Sequence, residues 1–254
     1  DFKIDGRKLP ELEAAMKRLA DMEPVQYVLG HAEFSGRRFH VSPSVLIPRP
    51  ETELLCRDAI KLGTRIYRMR TPYGKNAVPV RVLDLCTGSG CIAWTMALSI
   101  PGCKVTAVDI SDAAMEIASG QDFAAELKSG NYTRPEFVKA DVLDSEQEFA
   151  YGPFDMVLSN PPYIMESEKK DMRRNVLDYE PECALFVPDD DPLVFYRAIA
   201  RWSQRFMTPD GVGLSEVNES LARQTETVFR AAGYAHTEIV RDFSDKNRYI
   251  IYHK

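Results

Sequence analysis

The chain has 254 residues, 44% of them hydrophobic, and a formal net charge of −6. Such a length holds one large α/β domain with a small appendage, and the hydrophobic fraction excludes a disordered chain. The acidic balance argues against a protein that lives on bare DNA or RNA, and no apolar run reaches membrane-spanning length.

Cys56, Cys86, Cys91, Cys103 and Cys183 form no Cys-x-x-Cys pair and read as reduced thiols of a cytoplasmic protein. No signal peptide is expected from the sequence. The start at Asp1, without a methionine, reads as a fragment or as the ordered part of something longer.

From about Leu9 to Met22, apolar residues at Leu12, Ala15, Met16 and Leu19 predict one amphipathic helix, which needs a partner surface for its stripe. Glu23-Pro24 ends it. Gly36, between Phe34 and Phe39, predicts a β-hairpin that serves as a linker. Pro48 and Pro50 fix an extended approach, and Pro50, Glu51 and Glu53 suit the first turn of a helix running through Leu54, Leu55, Ala59 and Ile60. Residues 64–79 are polar, broken by Pro72, Gly74 and Pro79, and read as a surface loop.

An α/β alternation follows. Strands are predicted at 80–85, 104–109, 137–140, 154–159 and 211–217, with helices at 91–99, after Ser111, at 193–206 and at 221–232. The last two strands, 236–240 and 249–252, have no helix between them and should form an antiparallel pair at the sheet edge. The fold class is α/β: a seven-stranded, mostly parallel sheet with helices on both faces.

The strand at 80–85 carries Asp84 at its close, just before the Gly-rich turn Cys86-Thr87-Gly88-Ser89-Gly90. A strand, such a turn and a helix N-terminus make a cradle of backbone N–H groups. Asp109, 19 residues after Gly90, closes the next strand, where an acid can accept from ribose hydroxyls. The third glycine of a dinucleotide pattern is missing. Asp84 can instead hold an ammonium group, which S-adenosylmethionine has and NAD lacks. Asp141 closes the third strand, in reach of an adenine amino group. Asn160-Pro161-Pro162-Tyr163 follows the fourth. Two prolines cannot extend a ladder, so the chain turns out at the strand's carboxyl end, where α/β sheets bind ligands. It carries one amide and one aromatic face, groups suited to a planar nitrogen compound. His31, His40, His236 and His253 are scattered and show no metal-ligand spacing.

These residues resemble a class I S-adenosylmethionine-dependent methyltransferase of the amino-methylating kind. More narrowly, Glu23 to Gly30, Ile47-Pro48-Arg49-Pro50-Glu51-Thr52-Glu53, Asn160 to Ile164 and Tyr179-Glu180-Pro181 are similar to the release factor glutamine methyltransferases. The resemblance runs from about Glu23 to the C-terminus. It implies methylation of the side-chain amide of the Gly-Gly-Gln glutamine in class 1 peptide chain release factors, the proteins of translation termination. S-adenosyl-L-methionine is the donor and S-adenosyl-L-homocysteine the product.

On the resemblance, Asn160, Pro161 and Tyr163 are catalytic. Asp84, Cys86, Thr87, Gly88, Ser89, Gly90, Asp109, Ile110, Asp141, Val142 and Asn160 bind the cofactor. Arg49, Glu51, Thr52 and Asn160 to Tyr163, including Pro162, bind the substrate. It also implies that residues 1–24 end a helical recognition domain, 25–48 form the hairpin linker and 49–254 the methyltransferase domain. Cys86 stands where the family has a turn glycine, and 187–192 lack the family's usual glycines. Two rivals remain: an amino methyltransferase acting on a flipped DNA or RNA base, and a partner-binding protein that keeps S-adenosylmethionine as a structural ligand.

Overall fold

The computed structural model describes residues 5–71 and 78–254. The chain opens with helix α1 (Leu9–Ala20), a short helix α2 (Val25–Leu29) and a hairpin of β1 (His31–Phe34) and β2 (Arg37–His40). Ser35 and Gly36 both take positive φ, 49° and 72°, as a two-residue turn between right-twisted strands demands. The hairpin buries Phe34 and Phe39 in the main core, and Gln121 ties it down: its amide accepts from His40 N–H and donates to the carbonyls of His40 and Ser89. The stripe of α1 finds no such cover among the described residues: Leu12, Met16 and Leu19 are all exposed.

Helix α3 spans Pro50–Arg70, so residues 64–70, expected in a loop, are helical; residues 72–77 of that expected loop lie outside the described ones. Within the helix Gly63 is a packing point: a Cβ there would sit 2.4 Å from Ile100 Cδ1. Beyond it, Ile66 and Tyr67 pack on the core, and Arg70 Nη2 donates to the buried Asp155 carboxylate at 2.6 Å.

The rest is an α/β alternation. In order come β3 (Arg81–Leu85), α4 (Cys91–Ala97), β4 (Lys104–Asp109), α5 (Asp112–Ser119), α6 (Ala124–Ser129), β5 (Glu136–Lys139) and β6 (Phe154–Ser159). After β6 a two-residue strand β7 (Ile164–Met165), helix α7 (Arg174–Leu177) and β8 (Phe186–Val187) form a small excursion. Then come α8 (Val194–Phe206), β9 (Met207–Glu216), α9 (Ala222–Ala231), β10 (His236–Arg241) and β11 (Asn247–His253).

The main sheet has seven strands in the order β10-β11-β9-β6-β3-β4-β5. Only β11 runs against its neighbours; it slots between β9 and β10 and forms the expected antiparallel pair with β10. Apolar residues cover both faces: Val82, Met156 and Leu158 join one core with Leu55 and Trp94, while Leu83 and Val157 join the other with Ile199 and Phe229. The chain leaves β3 toward β4 on one side, whereas β6 lies on the other. A ligand crevice belongs at that switch point, outside the carboxyl ends of the strands. Among the described residues no helix is long and apolar enough to cross a membrane.

Candidate active site

The turn after β3 is built from left-handed residues. Cys86, Gly88 and Gly90 have φ of 61°, 54° and 79°. Cys86 therefore holds a conformation that glycine takes at no steric penalty, in keeping with the turn glycine that the resemblance leads one to expect there. Burial raises its thiol pKa well above the ordinary value, which disfavours the thiolate form that a nucleophile needs.

Asp109, at the end of β4, secures the turn. Gly88 N–H donates to its Oδ2 at 2.9 Å and Ser111 N–H to its Oδ1 at 3.0 Å. Burial raises its pKa against those two donors.

A cavity of about 280 Å³ opens over this turn. Cys86, Thr87, Gly88 and Ser89 line its floor; Asp109 and Ile110 come from the end of β4, Asp141 and Val142 from beyond β5. Asn160 and Pro162 reach it from the end of β6, Arg49 and Thr52 from the start of α3. A second cavity of about 110 Å³ holds Pro161 and Tyr163, and both cavities are lined by Leu46, Arg49, Asn160 and Ala184. Most of the residues singled out in the sequence thus converge on two connected spaces that meet at Asn160.

Three do not. Asp84 is fully buried behind the turn: its Oδ2 accepts from Thr87 Oγ1 at 2.6 Å and from Ala93 N–H at 3.1 Å. Its Oδ1 has no partner among the described residues, and burial pushes the carboxyl up to about 7. An ammonium group in the cavity does not meet this acid directly. Gly90 also faces away, where a Cβ would lie 3.1 Å from both Ala118 Cβ and Trp94 Cδ1. Glu51 points to Arg248 at 3.7 Å.

The Arg49–Glu53 run is a hub of tethers. Arg49 Nη2 donates to Glu180 Oε1 at 2.6 Å, Thr52 Oγ1 to Glu216 Oε2 at 2.7 Å, and Glu53 accepts from Ser35 N–H at 2.9 Å. Asn160 Nδ2 donates to Thr52 Oγ1 at 3.1 Å, and Tyr163 OH to Glu216 Oε1 at 2.8 Å. Glu180 and Glu216 are both 4% exposed, and sequence reasoning missed both as parts of the site. Glu216 had a usable signal: it closes strand β9 as Asp109 closes β4.

The cavity fits a nucleoside-bearing ligand. Position Cβ of Gly88 would meet nothing within 4 Å, so the glycine leaves open space above the turn. Apolar Ile110, Val142 and Phe195 wall the cavity, and Asp109 offers an anionic acceptor.

Comparison with known proteins gives the family. Residues 53–179 match a family model described as Methyltransferase small domain. A release factor glutamine methyltransferase from Bacteroides thetaiotaomicron is 38% identical over 250 residues, covering 98% of this chain and 82% of that protein. The chain belongs to the release factor glutamine methyltransferase family. The relative from Flavobacterium psychrophilum is 35% identical over 250 residues, again 98% of this chain and 82% of that one. A solved methyltransferase from Pyrococcus furiosus has a TM-score of 0.53 at 14% identity, covering 94% of this chain and 98% of that chain. That likeness is one of fold: the sheet is that of a class I methyltransferase, as the sequence predicts.

Proposed function

We propose that this chain methylates the side-chain amide nitrogen of the Gly-Gly-Gln glutamine in class 1 peptide chain release factors, in the cytoplasm. The observation that carries the reading is the meeting of a nucleoside-sized cavity and a smaller pocket at Asn160, whose amide nitrogen is turned away toward Thr52. When bound, S-adenosylmethionine supplies an electrophilic methyl group and leaves as S-adenosylhomocysteine.

The residues have three tasks. Thr87, Gly88, Ser89 and Asp109 hold the nucleoside end, with Asp109 accepting from ribose hydroxyls. Asn160 Oδ1 and the Pro161 carbonyl each accept one hydrogen of the substrate NH2 group. This aligns the nitrogen for in-line attack and stabilises the positive charge that grows on it. Tyr163, its phenol anchored on Glu216, packs beside the flat amide. An amide nitrogen needs no strong base here, because its proton can depart once the methyl has arrived.

The test is mass spectrometry of release factors incubated with the protein and S-adenosylmethionine. One added methyl on the Gly-Gly-Gln glutamine is expected. Methyl transfer confined to a nucleic acid base overturns the reading.

A further inference from the structure

We infer that Glu216 is a positioning residue: through Thr52 it decides which end of the Asn160 amide faces the substrate. The inference rests on the reading above, in which Asn160 receives a glutamine NH2 group.

An asparagine amide has two nearly isosteric orientations, one presenting an acceptor and the other a donor. Asn160 must present its oxygen if it is to hold an NH2 group. Nothing in its own covalent structure makes that choice. Thr52 makes it. The Thr52 hydroxyl has one proton, and that proton goes to Glu216 Oε2 at 2.7 Å. Only lone pairs then remain on Oγ1 for Asn160, which must answer with its NH2 end, 3.1 Å away. The oxygen end is left for the cavity that Asn160 lines.

The relay holds because Glu216 acts as an acceptor on both oxygens. Its other oxygen takes the Tyr163 phenol proton at 2.8 Å. Burial raises the pKa of Glu216 and the nearby Glu51 adds to that, but Thr52, Tyr163 and the charge of Arg248 all favour the anion. Tyr163 in turn keeps its proton, since burial and then the Glu216 charge push its pKa far up. Thr52 is 1% exposed, so water does not compete for its hydroxyl. One buried carboxylate thereby sets the polarity of an amide it never touches. A flipped amide would aim two N–H donors at the glutamine NH2 group and would favour a glutamate carboxylate in its place.

The experiment compares release factors carrying glutamine or glutamate at the methylated position. The first is assayed as substrate, both as competing ligands. Thr52→Val removes the hydroxyl at constant shape. Its kcat should fall about tenfold or more, the worth of one hydrogen bond to a charged group. Its preference for the glutamine form over the glutamate form should collapse toward unity, while binding of S-adenosylhomocysteine stays close to wild type. Thr52→Ser, which keeps the hydroxyl, should restore both kcat and preference. If Thr52→Val does not fold, Glu216→Gln carries the same test: its NH2 group can donate to Thr52 and free the Thr52 proton for Asn160 Oδ1. A folded variant that loses kcat but keeps the glutamine preference has lost structure alone, and that overturns the relay. So does a variant with unchanged kcat and preference. A wild-type protein that methylates no release factor instead removes the functional reading beneath it.

Discussion

Arg49 Nη2 donates to Glu180 Oε1 at 2.6 Å, joining residues 131 positions apart in the chain. The Glu180 side chain is 1% exposed and that of Arg49 32%, and the same carboxylate accepts Ile47 N–H at 3.2 Å. Two donors from the extended approach to α3 therefore clamp it against the segment after α7. That clamp shapes Leu46 and Arg49, which line both cavities.

Arg49→Met should therefore destabilise the fold as well as the site. Removing one partner of a buried pair costs about 3–5 kcal/mol, and the partial exposure of Arg49 reduces this to about 2 kcal/mol. Glu180→Gln should be milder, because a neutral amide leaves no buried charge and can still accept from Ile47 N–H. Urea unfolding of the two variants compares them. Equal losses would mean that the charge on Glu180 is not what Arg49 compensates.

Asn160→Ala should lose methyl transfer by about 10²–10³-fold, the usual effect of removing one hydrogen bond made in a closed transition state. Melting temperature should stay near wild type, and any loss of cofactor affinity should be far smaller than the loss of rate. Asn160→Asp keeps an acceptor oxygen and should retain more activity than the alanine variant. Single-turnover assays with a release factor rank the three proteins. Wild-type rate in Asn160→Ala would remove Asn160 from the chemistry.

Asp84 makes stability depend on pH. Its carboxyl is ordinarily ionised above 3.8 but is pushed by burial up to about 7 in the folded chain. Between those values the folded state holds a proton that the unfolded state has released. Stability should then fall as pH rises through that window, by at most about 1.4 kcal/mol per unit, and level off above it. Asp84→Asn keeps an acceptor for Thr87 and Ala93 and cannot ionise. It should match wild type near pH 4, exceed it at pH 8, and show a flatter melting temperature between. A parallel decline in both proteins would show that other groups govern the slope.

The middle of the sheet is legible in the sequence because β3, β4, β6 and the second half of β9 are buried on both faces and read as apolar runs. Their carboxyl-end acids, Asp109 and Asp141, and the break at Pro161-Pro162 mark one end of it. The extent of α3 is not legible, since residues 64–70 read as part of a polar loop until Ile66 and Tyr67 are seen packed on the core. Nor is the partner of each acid. Asp84 and Asp109 look alike as strand ends, yet one faces inward to Thr87 and the other lines the cavity. Glu51 and Thr52 are neighbours, and the helix sends one to Arg248 and the other to Glu216. Those directions depend on tertiary packing, which spacing along the chain does not encode.

The two glycines of the turn make the same point testable. Both have positive φ, so a side chain at either strains the backbone by roughly 1–2 kcal/mol. Their surroundings differ. A Cβ on Gly88 meets nothing within 4 Å and projects into open space above the turn, whereas one on Gly90 meets Ala118 and Trp94 at 3.1 Å. Gly88→Ala should thus fold, with a melting temperature lower by a few degrees, and lose S-adenosylmethionine affinity by about tenfold or more, because the methyl occupies space the ligand requires and each tenfold is only about 1.4 kcal/mol. Gly90→Ala should lose more stability, since buried backbone and the Trp94 ring must shift to admit it. At a temperature where it remains folded, its affinity should suffer less than that of Gly88→Ala. Calorimetric titration beside thermal melts measures both quantities. If Gly90→Ala proves the weaker binder while folded, the ligand presses on the helix end and not on the crown of the turn.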